Sequence, residues 1–112
     1  MSYQAITMVQ GTFAPSSTAV QYTQPAASKG IVRHAVFTNI TGSPATLTIY
    51  IVESGGSVTD ARKILDAYSI NAHTAYTSPE LSGVVLNAGD VIETLAGTGS
   101  AIAQNISGIL QT

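Results

Sequence analysis

The sequence of 112 residues contains no cysteine and no tryptophan, and it has few charged residues. Without cysteine, neither a disulfide framework nor a thiolate zinc site can form. Charged residues make up 9% of the chain, against about 25% in an average soluble domain. A soluble monomer normally relies on surface charge to stay dispersed, so this neutrality indicates a surface covered by further copies or by a partner. A secreted protein with a surface rich in Ser and Thr is the alternative.

The four cations, Lys29, Arg33, Arg62 and Lys63, are too few to form a basic stripe, and the net charge is −2. We therefore expect no electrostatic binding of nucleic acid. No apolar run approaches the roughly 20 residues that span a bilayer, so no membrane partner is expected either. The first residues lack the basic patch and long apolar run of a signal peptide, which predicts synthesis and folding in a cytoplasm.

Alternating apolar and polar residues predict β-strands along much of the chain. In residues 46–53, every second residue from Leu47 to Ile51 is apolar, which is typical of a half-buried strand. Residues 30–40 form another apolar run just before it. The turn-forming residues 41–44 lie between the two runs and predict that they form a β-hairpin.

Further strands are predicted over residues 64–70, 84–86, 91–96 and 101–110, with turn residues about every ten positions. Residues 57–60 have the spacing of a helix N-cap box, which predicts either one or two helical turns or a plain loop. No long amphipathic helix is visible. The pattern predicts an all-β protein, an antiparallel β-sandwich of jelly-roll or Ig-like type with about six to eight strands.

The first 28 residues differ from the rest, because they are rich in Gln, Ser, Thr and Ala and carry no charge. They form either weak strands or an arm that lies on a neighbouring subunit, and residues 29–112 form the sandwich domain. Ordering an arm costs about 1–2 kcal/mol per fixed backbone residue. Val9, Phe13 and Tyr22 would have to bury apolar surface to offset that cost, which makes them the candidate subunit-interface residues.

No residue pattern identifies a catalytic, cofactor-binding or metal site. His34 and His73 have no Cys, His or Asp at metal-ligand spacing, so structural roles are favoured for both. The six acidic residues are dispersed and include no Asp-x-Asp-x-Asp loop; a pair such as Glu53 and Asp60 binds calcium only if loops bring it together. Neither a nucleophile elbow nor a phosphate-binding loop is present. We therefore expect a protein that is not an enzyme and uses no cofactor.

The order of these segments resembles a style of sequence common in virion proteins of tailed bacteriophages. Residues 31–50 carry a strand ending in Thr-Asn, a turn of small polar residues, and then a Thr-Leu-Thr-Ile-Tyr strand. The Gly-Asp turn at residues 89–90 and the closing Ile-Ser-Gly at residues 106–108 are similar as well. The resemblance covers roughly residues 30–110, and residues 1–28 fall outside it.

This resemblance implies a non-enzymatic structural protein that is present in many copies in a virion, after synthesis in the host cytoplasm. The first expectation is a capsid decoration or cement protein that binds and stabilises the assembled shell. Its partners would be itself, as a homo-oligomer such as a trimer, and other virion proteins such as the major capsid protein. The alternative is a carbohydrate- or receptor-binding β-sandwich module of a tail or fibre, with a shallow groove and exposed tyrosines.

Overall fold

The computed structural model describes residues 2–112 and shows two antiparallel β-sheets. Its strands are β1 Tyr3–Phe13, β2 Ala19–Thr23, β3 Lys29–Asn39, β4 Ala45–Val52, β5 Lys63–Ile70, β6 Ala75–Thr77, β7 Val85–Leu86, β8 Val91–Ala96 and β9 Ile102–Gln111. The predicted all-β sandwich is confirmed, and the two-residue β7 brings the strand count above the predicted range. One 3-10 turn, Asp60–Arg62, lies where the sequence predicts a helical turn or a loop. Within residues 2–112, no helix is long and apolar enough to cross a membrane.

The strand pairings are nested along the chain. Sheet A has the order β1-β9-β3-β6, with the short β7 also paired to β3, and sheet B has the order β2-β8-β4-β5. The first strand thus pairs with the last, β2 with β8, β3 with β6 and β7, and β4 with β5. The chain is one long hairpin rolled into two sheets, which is the topology of a jelly roll. The topology therefore selects the jelly roll from the two predicted sandwich types.

The hydrophobic core lies between the two sheets. Phe37 and Ile106 from sheet A face Leu47, Ile49 and Ile92 from sheet B, and all five side chains are buried. Burying one such side chain contributes about 1.5–3 kcal/mol to folding. In β4 they alternate with the outward-facing Thr48 and Tyr50, but these two are buried as well, so the strand predicted to be half-buried is buried on both faces.

Residues 1–28, for which the sequence left an arm or strands open, contain β1 and β2. Strand β1 pairs with β9 in sheet A, and β2 pairs with β8 in sheet B. Met8 and Val9 of β1 lie in the same hydrophobic core as the later strands. Both strands therefore belong to the packed sheets within this single chain.

The predicted hairpin between β3 and β4 is wrong, because the two strands lie in different sheets. The buried Asn39 side chain holds the turn between them. Its Nδ2 donates to the carbonyl oxygens of Ser43 and Ile70 at 2.8 and 3.0 Å, and its Oδ1 accepts from the Thr41 N–H at 2.9 Å. Turn-forming residues predict where the chain changes direction, but they carry no information on whether the next strand joins the same sheet.

Candidate interaction surface

The outer face of sheet A carries a row of apolar side chains that crosses four strands. Ala5 of β1 lies opposite Ile109 of β9, Ile109 opposite Ile31 of β3, and Ile31 opposite Val85 of β7. Directly opposite residues share one face of a sheet, so these four side chains form a continuous line, here called the apolar row. Ile31 is 41% exposed and Val85 54% exposed, which leaves much of the row open to solvent.

The strands that form this face carry two cations and no acidic residue. None of the six acidic residues of the chain lies on a strand of sheet A. The cations on these strands are Lys29 and Arg33, both exposed and both on β3. Small polar side chains occupy five further positions on this face: Thr7, Thr38, Thr77, Asn105 and Ser107. A partner could therefore cover this face without burying a carboxylate.

The three residues proposed from the sequence as interface candidates lie in different environments. Val9 is 6% exposed and packs in the core. Tyr22 is half-buried against the core, where burial raises its pKa and its hydroxyl donates to Oε1 of Gln24 at 3.1 Å. Phe13 is 44% exposed and lies opposite Ala103 on the outer face of sheet A. Of the three, Phe13 shares its face with the apolar row.

The apolar row was not among the predictions made from the sequence, although the sequence contains an indication of it. Ile31 and Val32 are adjacent apolar residues in one strand, and so are Val85 and Leu86. Successive side chains of a strand point to opposite faces, so one member of each pair has to face outward. Val32 and Leu86 are fully buried, which leaves Ile31 and Val85 outside.

The two histidines are well exposed and belong to no metal cluster. His34 lies on the outer face of sheet A, opposite Ser107. His73 lies in the turn between β5 and β6 with a positive φ of 53°. Among residues 2–112, no group of three or more His, Asp or Glu side chains is placed to hold a metal ion.

Half of the ten charged side chains gather at one end of sheet B, where they bind one another. Arg62 donates from Nε to Oε2 of Glu53 at 2.6 Å and from Nη2 to the other oxygen, which lowers the pKa of Glu53 to about 2. The Lys63 ammonium lies 2.9 Å from Asp66 and 3.2 Å from Asp60. The hydrogen bonds to these two carboxylates raise the pKa of Lys63 to about 12. Glu53 and Asp60, the pair considered for calcium, are thus each bonded to a cation.

Two tyrosines line a shallow groove between β5 and β6. The rings of Tyr68 and Tyr76 have centroids 4.4 Å apart and an interplanar angle of 33°. Tyr68 is 44% exposed. The Tyr76 hydroxyl donates to Oε1 of Glu80 at 2.5 Å, and burial together with this hydrogen bond raises the pKa of Tyr76. This groove has the exposed tyrosine that the carbohydrate-binding alternative predicts.

No protein-family model and no curated protein sequence matches this chain. It is similar to chains in solved structures of infectious bursal disease virus. Chains of the Gx and Gt strains are 17% and 13% identical over 97% and 96% of this chain, with TM-scores of 0.49 and 0.46. A chain in the crystal structure of the T13 viral particle of the same virus is 16% identical over 97% of this chain, with a TM-score of 0.45.

The chain spans about a third of the length of these viral chains, since it covers 32%, 31% and 30% of them. At these identities the likeness concerns the arrangement of β-strands.

Proposed function

We propose that this chain is a non-enzymatic structural protein of a phage virion, and that it acts as a decoration or cement protein. In this role many copies bind the assembled shell and stabilise it. The observation that carries the proposal is the apolar row, which lies exposed on a sheet whose strands contain no acidic residue.

An exposed apolar patch on a face without acidic residues is the kind of surface that a protein partner covers. Contiguous exposed apolar surface marks interaction sites on soluble proteins. Covering Ile31 and Val85 removes apolar area from water, and the absence of acidic residues from the sheet A strands avoids the cost of burying an unpaired carboxylate. The low charge of the whole chain supports the same interpretation.

The jelly roll alone does not decide between the two functions predicted from the sequence. This architecture occurs in viral capsid proteins and in lectins, and a fold does not determine a function. The resemblance of residues 30–110 to phage virion proteins favours the structural role. Repetition on a shell also allows each contact to be weak, because linked binding events strengthen one another.

The test is binding of purified chain to assembled shells that lack it, measured by co-sedimentation. We expect Val85→Lys to weaken binding at least about tenfold, because it places a charge within the apolar row. Val20→Lys is the matched control: Val20 is 52% exposed, against 54% for Val85, but it lies on β2 of sheet B. Wild type and Val20→Lys should bind equally well.

Equal binding by both variants would contradict the proposed surface. The virion role itself would be contradicted if mass spectrometry of purified virions did not detect the chain.

The Tyr68–Tyr76 groove supports a second candidate, a carbohydrate-binding module, because Tyr68 offers an exposed ring for stacking against a sugar. Glycan binding that is lost in Tyr68→Ala and kept in Val85→Lys would favour this candidate.

A further inference from the structure

Strand β1 has an open edge. It pairs with β9 on one side, and within residues 2–112 no strand pairs with its other side. Ser2 and Thr112 exchange two main-chain hydrogen bonds of 3.0 and 2.9 Å. Bonded and non-bonded pairs alternate along an antiparallel ladder, so the residues two and four positions after Ser2 also bond to β9. The main-chain groups of Ala5, which lies between these two residues, and of Thr7, which follows the second of them, point to the open edge.

The other sheet edges carry features that hinder pairing with another chain. In sheet B, β5 contains Lys63 and Asp66 and has two register shifts. The opposite edge, β2, is five residues long and has a register shift of its own. In sheet A, β6 and β7 have three and two residues. Charges, bulges and very short strands are devices by which proteins protect their edges.

Strand β1 is less protected against pairing with another chain than the other sheet edges are. It has 11 residues, none of them charged and none of them proline. Its register shifts lie between Thr7 and Val9 and between Val9 and Thr12, so the part from Tyr3 to Thr7 is regular. A regular, uncharged edge is a template on which another strand can pair.

We propose that two copies of the chain join their β1 strands in an antiparallel pair, with a two-fold axis at Ala5. Antiparallel edges related by a two-fold axis are self-complementary, because each donor of one copy meets an acceptor of the other. Like charges do not oppose one another across the axis, since the first charged residue of the chain is Lys29. A second copy therefore fits this edge without electrostatic cost.

The pairing also makes the apolar row continuous between the copies. Ala5 is the member of the row at the β1 edge. With Ala5 of one copy opposite Ala5 of the other, the two rows join end to end on one face of a single ten-stranded sheet. The dimer thereby doubles the length of the surface proposed to bind a shell. The β1 pairing itself does not depend on that function.

Because the chain contains no cysteine, one introduced cysteine reports directly on the symmetry axis. In Ala5→Cys the two Cα atoms of the dimer would lie about 5.5 Å apart, within the range of about 4.4–6.8 Å that a disulfide spans. We expect this variant to form a covalent dimer under mild oxidation. Ser69→Cys, exposed on the protected β5 edge, should remain mostly monomeric.

A second pair of variants tests the contact without a covalent link. Thr7→Lys places a charge on the β1 edge, and Thr77→Lys makes the same change on β6, the opposite edge of the same sheet. By analytical ultracentrifugation we expect Thr7→Lys to raise the dimer dissociation constant at least about tenfold, and Thr77→Lys to leave it unchanged. Circular dichroism establishes that each variant is folded.

The proposal is overturned if the unmodified chain sediments as a monomer at every concentration. It is equally overturned if Ala5→Cys cross-links no faster than Ser69→Cys, or if Thr7→Lys and Thr77→Lys associate alike. Detection of the chain in virions is a separate measurement, so failure of the β1 dimer and failure of the virion role can be told apart.

Discussion

The side-chain amide of Gln104 in β9 donates from Nε2 to Oε1 of Gln21 in β2 at 2.6 Å and so links the two sheets through the interior. Gln104 is fully buried. Its Nε2 also donates to the Thr12 hydroxyl at 3.2 Å, and its Oε1 accepts from the Thr94 hydroxyl at 3.1 Å. Every polar atom of this side chain thus has a partner, which is the condition under which a buried polar network stabilises a fold.

We expect Gln104→Leu to destabilise the protein by about 1–3 kcal/mol, because buried polar groups that lose a partner retain their desolvation cost. Thr94 is fully buried and would lose its acceptor. The measurement is urea unfolding followed by circular dichroism. Gln111→Leu, near the end of the same strand and half-buried, is the control and should change stability little. Equal unfolding midpoints for the two variants would show that the Gln104 network does not contribute to the stability of the folded protein.

Gly108 in β9 occupies a position where any side chain meets backbone. A Cβ atom built there collides with the carbonyl oxygen of Ile31 and lies 2.8 Å from Cε of Met8. We expect Gly108→Ala to cost about 1–3 kcal/mol, as overpacking typically does. Gly42→Ala is the control, because a Cβ at Gly42 meets open space. Thermal melting of both variants checks the prediction, and an unchanged melting temperature for Gly108→Ala would contradict it.

The ion pair of Glu53 and Arg62 predicts an acid-dependent loss of stability. Hydrogen bonds from Arg62 lower the pKa of Glu53 from 4.5 to about 2 in the folded chain. A carboxyl whose pKa is depressed by folding contributes its stabilisation above the unfolded pKa and loses it as the pH falls through the folded pKa. The contribution is therefore present above about pH 4.5 and is lost between about pH 4.5 and 2.

We expect the melting temperature of the wild type to fall over this pH range more steeply than that of Glu53→Gln. The difference should shrink at high salt, because both side chains are partly exposed and solvent ions screen the pair. Melting curves at pH 5, 4, 3 and 2, at low and high salt, provide the comparison. Parallel profiles of melting temperature against pH for the two proteins would exclude a contribution of the Glu53–Arg62 pair to stability.

The candidate surface could be predicted only in part. Low charge predicted that a partner covers the chain, and the outer face of sheet A, which has two cations and no acidic residue on its strands, agrees with that composition. The residues of the apolar row could not be predicted, because Ala5, Ile31, Val85 and Ile109 come from four separate strands. Only pairing between distant strands aligns them.

The β3–β4 turn shows the same limit of prediction from sequence within the fold. Residues 41–44 predicted a change of direction, yet the buried Asn39 amide, bonded to Ser43 and Ile70, holds a passage from one sheet to the other. Ile70 is 31 positions away from Asn39 along the chain. A turn pattern covers a few residues and cannot include such a partner.

By itself, the sequence determined where most of the strands lie, because the alternation of apolar and polar side chains is a local property of an extended chain. It also determined the near-absence of charge. Only the tertiary structure decided which strands pair, which sheet face stays open and which edge stays unprotected. Tyr3 pairs with Gln111 and Ile31 with Ile109, and contacts between such distant residues arise only when the whole chain folds.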